Sequence, residues 1–123
     1  MYDSVASCRD HRILERHLDA LETAIATKAD IAGTLTSAAS LAREHYLGEE
    51  PLLRDFARHE PQLAAKMVAQ HEEACEAAQR FEEARIEGHD RDMLALARRF
   101  LAIAQHNIIE EERDVFPLLA ASE

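Results

Sequence analysis

The chain has no tryptophan, and only three glycines, three prolines and two cysteines among its 123 residues. With so few Gly and Pro there are few places for the backbone to turn. A turn-rich architecture is disfavoured, and the dominance of Ala, Leu, Glu and Arg points to a largely helical protein. No apolar run approaches the ~18–20 residues needed to span a bilayer. The opening residues lack a basic stretch followed by an apolar one, so no signal peptide is expected, and the two cysteines read as reduced thiols of a cytoplasmic protein. Basic residues are scarce as well. Fourteen Lys and Arg face twenty-four Asp and Glu, a formal net charge of −10, which argues against nucleic acid or anionic membranes as partners.

What the chain does have is helical periodicity in four stretches, at about residues 5–27, 30–57, 62–87 and 91–119. The breaks are short. Asp30 is placed to cap the second helix, Pro61 suits the first turn of the third, and Gly88 and Asp90 suit a stop and a cap before the fourth. Connections this short favour antiparallel neighbours, hence one all-α domain over residues 1–123, an up-down-up-down four-helix bundle.

Two segments repeat a pattern. His45 is followed four residues later by Glu49, and His106 by Glu110, each with a further Glu behind. Residues four apart on a helix are neighbours, about 6 Å apart, so an imidazole and a carboxylate can point at one metal ion. In the second helix His45 and Glu49 fall inside the apolar stripe of Leu35, Ala38, Ala42, Leu52, Leu53 and Phe56. In the third, His71 lies inside the stripe of Leu63, Met67, Ala74, Ala78 and Phe81. In the first, His11 sits just off the stripe of Leu14, Leu18, Leu21 and Ile25.

The fourth helix is out of phase. Met93, Leu96, Ala97, Phe100 and Ala104 define a stripe that would centre Glu111 and leave His106 and Glu110 to one side. Either the helix widens locally between Phe100 and Glu111, or the pair is His106 with Glu111; both stay open, with Glu110 favoured.

A carboxylate in an apolar stripe costs several kcal/mol unless it is paired or bound to metal. Four inward imidazoles and two carboxylates are too many for one closed zinc site, and mixed nitrogen and oxygen donors suit iron, manganese or zinc. The set suits two metal ions bridged by the carboxylates.

The order of motifs resembles the hemerythrin-like family, also called HHE cation-binding domains. It runs from Asp10-His11-Arg-Ile-Leu-Glu15 through His45-x-x-x-Glu49-Glu50 and Met67-Val-Ala-Gln-His71-Glu72 to His106-x-x-x-Glu110-Glu111 before Val115-Phe116-Pro117. That resemblance implies a four-helix bundle holding two non-haem iron ions, carboxylate-bridged with an oxo or hydroxo bridge, with manganese or zinc as weaker fits. It implies His11, His45, His71 and His106 as imidazole ligands, and Glu49 and Glu110 as bridging carboxylates. It implies binding or sensing of a small diatomic or peroxide (dioxygen, nitric oxide, hydrogen peroxide), or iron handling. Oxygen-carrying members have two histidines four apart on the third helix. Here Met67 precedes His71 by four and Cys75 follows it by four. One iron then lacks a protein ligand, leaving water, Tyr46 or a Glu to fill in, and the reading shifts from reversible carrier toward sensor or reactive site. The alternatives are a di-iron enzyme that disproportionates peroxide or reduces nitric oxide, and a metal-free structural or interaction bundle.

His17 reads as a partly buried structural histidine, and His59 and His89 as surface groups. Pro51 is expected to kink the second helix. Cys8 and Cys75 are expected on opposite sides of the metal layer, about 10 Å apart along the axis and unbridged.

Overall fold

The computed structural model describes residues 3–121, the side chains of Ser4 and Val5 excepted. All elements among them are helical: α1 (Ser4–Thr27), α2 (Ile31–Phe56), α3 (Pro61–Glu87) and α4 (Asp90–Glu110), then a π-helical turn (Glu111–Val115) and α5 (Phe116–Ala121). The last three form one rod, since Glu111 and Phe116 keep right-handed helical dihedrals at the junctions. α1 packs on α2 and α4, α2 on α3, and α3 most extensively on α4, which closes a four-helix bundle.

The turns follow local chemistry. Asp3 caps α1, its carboxylate accepting from the Ala6 N–H at 3.0 Å. α1 ends where Lys28 turns left-handed at φ 55°, so that its N–H reaches the carbonyls of Ala24 and Ile25. Asp30 occupies the N-cap position of α2 but does not cap with its side chain. It is left-handed at φ 52°, its carbonyl accepts from the Thr34 N–H and hydroxyl, and its carboxylate lies over Gly33. A Cβ at Gly33 would meet Asp30 Oδ1 at 2.6 Å, so a larger residue there would push the exposed Asp30 carboxylate aside. Pro61 opens α3, and Gly88, at φ 77°, ends it. Asp90 is already the first residue of α4, and the cap position falls to His89, which makes no side-chain cap.

Two apolar clusters fill the interior. The larger holds Leu14, Leu18, Leu21, Leu35, Phe81 and Phe100, with Ala38, Ala42, Ala74, Ala77, Ala97 and Ala104 letting the backbones approach. The smaller holds Leu53, Phe56, Met67, Val115, Phe116 and Leu119. Burying each of the large side chains contributes roughly 1.5–3 kcal/mol. A polar layer separates the two clusters. Along α2 the order is Tyr46, Glu49, Leu53; along α3, Met67, His71, Ala74; along the fourth rod, Ile108, Glu111, Val115. α2, α3 and the fourth rod each cross from one cluster to the other through a buried His or Glu, and α1 runs from His11 in the layer into the larger cluster. Cys8 and Cys75 are both free thiols.

Candidate metal centre

His11 comes from the second turn of α1 and is fully buried. His45, Tyr46 and Glu49 come from one face of α2, His71 from the inner face of α3, and Glu111 from the first position of the π turn. Glu111 joins the group by its two oxygens. Oε1 lies 3.0 Å from His11 Nε2, and Oε2 lies 2.9 Å from His71 Nε2. Glu49 Oε1 stands 2.8 Å from His45 Nε2 and 3.8 Å from His71 Nε2. Each carboxylate is therefore shared by imidazoles from two helices.

His11, His45, Glu49 and Glu111 can hold a metal ion: one donor atom from each lies within 4.8 Å of the others. Metal–ligand bonds of about 2.0–2.2 Å place opposed donors some 4 Å apart, so little movement is needed. The unpaired atoms carry the fit further. His45 Nε2 and Glu49 Oε1 are close enough to hydrogen-bond, yet neither has a hydrogen-bond partner, because they do not point at each other. The Tyr46 hydroxyl is buried without a partner too. Buried polar atoms are almost always satisfied; three orphans on adjacent turns of α2 are the donor set a cation would satisfy.

Electrostatics divides the two carboxylates. Burial, and then the neighbouring Glu111, pushes the Glu49 carboxyl up to about 9, which favours its protonated form. Burial alone would raise Glu111 as well, but hydrogen bonds with His11, His71 and Glu49 hold it down at about 2. Burial lowers the His45 pKa, against the pull of Glu111 and Asp10, which keeps the imidazole neutral and able to bind metal. Burial pushes the Tyr46 phenol up, and Glu111, Cys75 and Glu49 add to the shift. Its ring stacks on His71 at 4.0 Å, with 10° between the planes. A cleft of about 230 Å³ lined by Asp10, Ile13, Leu41, Glu44 and His45 leads from solvent to the His45 ring.

Of the residues expected from sequence, the structure brings His11, His45, Glu49 and His71 together. It does not bring His106 and Glu110 to them. The His106 side chain is 60% exposed, and Glu110 faces Lys66 at 3.1 Å, Gln70 at 3.0 Å and His106. The reason is helical phase. The widened turn exists, but it begins at Glu111, so α4 stays regular through Glu110 and turns Ala104, Asn107 and Glu111 inward. Asn107, fully buried, donates to Gln70 Oε1 at 2.9 Å and contacts Met67 Sδ at 3.8 Å. It was legible in the stripe, since it lies three residues after Ala104 and four before Glu111, but its amide suggested no ligand. Glu112, whose Oε2 lies 3.1 Å from His11 Nδ1, was missed because a third consecutive Glu reads as a solvated one.

No family model matches the chain, no curated protein matches it, and no solved structure matches it either.

Proposed function

We propose that the chain is a hemerythrin-like, non-haem di-iron protein that binds or senses a small diatomic molecule or peroxide. The observation that carries the metal reading is the pair of buried, close and unpartnered atoms His45 Nε2 and Glu49 Oε1. Support for two ions comes from Glu111, whose oxygens address imidazoles on different helices, and from Glu49, which stands between His45 and His71. Support for an up-down-up-down course comes from where the layer cuts each helix. It lies near the start of α1, in the first half of α3, and near the ends of α2 and α4.

In this reading His11, His45 and His71 would offer ring nitrogens, and Glu49 and Glu111 would offer the carboxylates shared between helices. Glu49 gives up its proton on loading, so metal uptake releases a proton and strengthens as pH rises. The Tyr46 hydroxyl stands beside the position left without a histidine, because Met67 belongs to the smaller apolar cluster and Cys75 to the margin of the larger. Iron held by these residues would supply redox chemistry at the site. The apolar clusters on either side exclude bulk water, and the cleft beside His45 admits a ligand of a few atoms.

The enzyme alternative draws on Tyr46, a buried phenol whose raised pKa keeps it neutral and able to donate a hydrogen bond to a substrate beside the site. The metal-free alternative draws on the hydrogen bonds among His11, Glu111 and His71, which already join three helices. Chain produced with iron in excess should carry close to two irons and show an iron charge-transfer band in the near ultraviolet. Peroxide consumption that disappears in Glu49→Ala would move the assignment to the enzyme. Iron-free chain from the same culture, with full helicity and unchanged thermal stability, would refute the metal reading.

A further inference from the structure

Both ring nitrogens of the buried His11 face carboxylates. Nε2 meets Glu111 Oε1 at 3.0 Å, and Nδ1 meets Glu112 Oε2 at 3.1 Å. The two glutamates are consecutive and open the π turn. Their surroundings differ. Glu111 is sealed inside, whereas the Glu112 side chain is 28% exposed and held by the guanidinium of Arg12, the residue after His11. Arg12 also reaches Glu15 at 3.1 Å. A His-Arg pair on α1 thus grips a Glu-Glu pair on the π turn, with the inner contact in the core and the outer one at the rim.

A neutral imidazole carries one N–H, and which nitrogen bears it decides what His11 can do. With the proton on Nε2, His11 donates to Glu111 and blocks that nitrogen from a metal. With the proton on Nδ1, His11 donates to Glu112, and the Nε2 lone pair is free beside Glu111. Resting on the metal reading above, we propose that Glu112 is a positioning residue of the metal site. Its carboxylate accepts the Nδ1–H of His11, selects the tautomer with a free Nε2, and makes that nitrogen a better donor. Arg12 holds Glu112 in place for the role. A carboxylate behind a metal-bound histidine acts in this way generally, and its loss costs about 10–100-fold in affinity. The π turn is the structural cause. The regular phase of α4 places Glu111, and the wider turn that opens there brings the next side chain to the same ring.

The test uses the full chain and cobalt(II), read by its visible spectrum, with affinity from chelator competition. Glu112→Ala should weaken cobalt binding about 10–100-fold and alter the visible bands, at unchanged helicity. Glu112→Gln, whose amide oxygen still accepts, should recover most of the loss. Glu15→Ala, which touches Arg12 but not His11, should bind as wild type does. In zinc-loaded protein, NMR of isotope-labelled histidine should show the His11 Nδ1–H hydrogen-bonded and shifted downfield in wild type, and without that shift in Glu112→Ala. Wild-type affinity in Glu112→Ala, or an unchanged Nδ1–H signal in that variant, overturns the role. A wild-type chain that takes up no cobalt removes the metal reading and this role with it.

Discussion

Glu49 and Glu111 are chemically identical side chains in one buried layer, yet they occupy opposite protonation states. The difference comes from their partners. Glu111 faces two imidazole nitrogens at 2.9–3.0 Å, while Glu49 Oε1 faces none that bonds it. A sign follows for the metal-free chain. The fold favours protonated Glu49, so its contribution is whole below the unfolded value of 4.5 and is lost as pH rises through about 9. Glu111 acts oppositely: its contribution is present above 4.5 and is lost as pH falls through about 2. His45, lowered from 6.5, also favours the fold above that value and less below it. On the alkaline side Glu49 therefore decides. Metal-free protein should lose roughly 2–3 kcal/mol of stability between about pH 7 and 9, at ~1.4 kcal/mol per pH unit. Glu49→Gln, neutral at every pH, should flatten that slope. Urea unfolding midpoints across this range measure it, and parallel slopes for the two proteins would contradict the protonated state given to Glu49.

At the scale of elements, α2 was legible and the end of α4 was not. His45 and Glu49 stand four apart on a regular helix inside an apolar stripe, so their burial follows from the ~100° step alone. The caps show where local rules stop. Pro61 and Gly88 do what their backbone preferences dictate, but Asp30 takes a left-handed conformation that carries its carboxylate away from the capping position. In the fourth helix the regular phase pointed to Glu111 and the His-x-x-x-Glu repeat to Glu110, and the widened turn that would have reconciled them leaves no compositional mark and starts only beyond Glu110. Sequence could therefore narrow the carboxylate to Glu110 or Glu111 without choosing, and the backbone decides it. Pro51 gives this scale its prediction. It lies exposed within α2, and the carbonyl it leaves unbonded belongs to Leu47, itself 56% exposed, where water can reach it. An interior proline costs a helix about 3 kcal/mol, and its stiffening of the unfolded chain offsets up to ~1 kcal/mol. Pro51→Ala should raise stability by about 2 kcal/mol with cobalt affinity unchanged. Weaker cobalt binding in thermal and spectroscopic titrations would mean instead that the proline sets the position of Glu49.

Over the whole molecule, the polar layer is not what stability alone would select. Two apolar clusters lie on either side of it, and closing them into one core would have been the simpler way to stabilise the bundle. Composition and short breaks were enough to read four helices, because nothing else in the sequence competes with the 3.6-residue period. The site was readable where each helix contributes by its regular phase, as with His11, His45, Glu49 and His71. It was unreadable where a neighbouring element decides, as with Glu112, whereas the burial of Asn107 and the outward turn of His106 follow from the phase of α4. Among the described residues no helix is long and apolar enough to cross a membrane. The most direct measurement is anomalous diffraction at the iron edge from crystals of iron-loaded chain. It should show two peaks a few ångströms apart among His11, His45, Glu49, His71 and Glu111. The absence of any peak there, or a peak only at the exposed His106–Glu110 pair, would contradict the account.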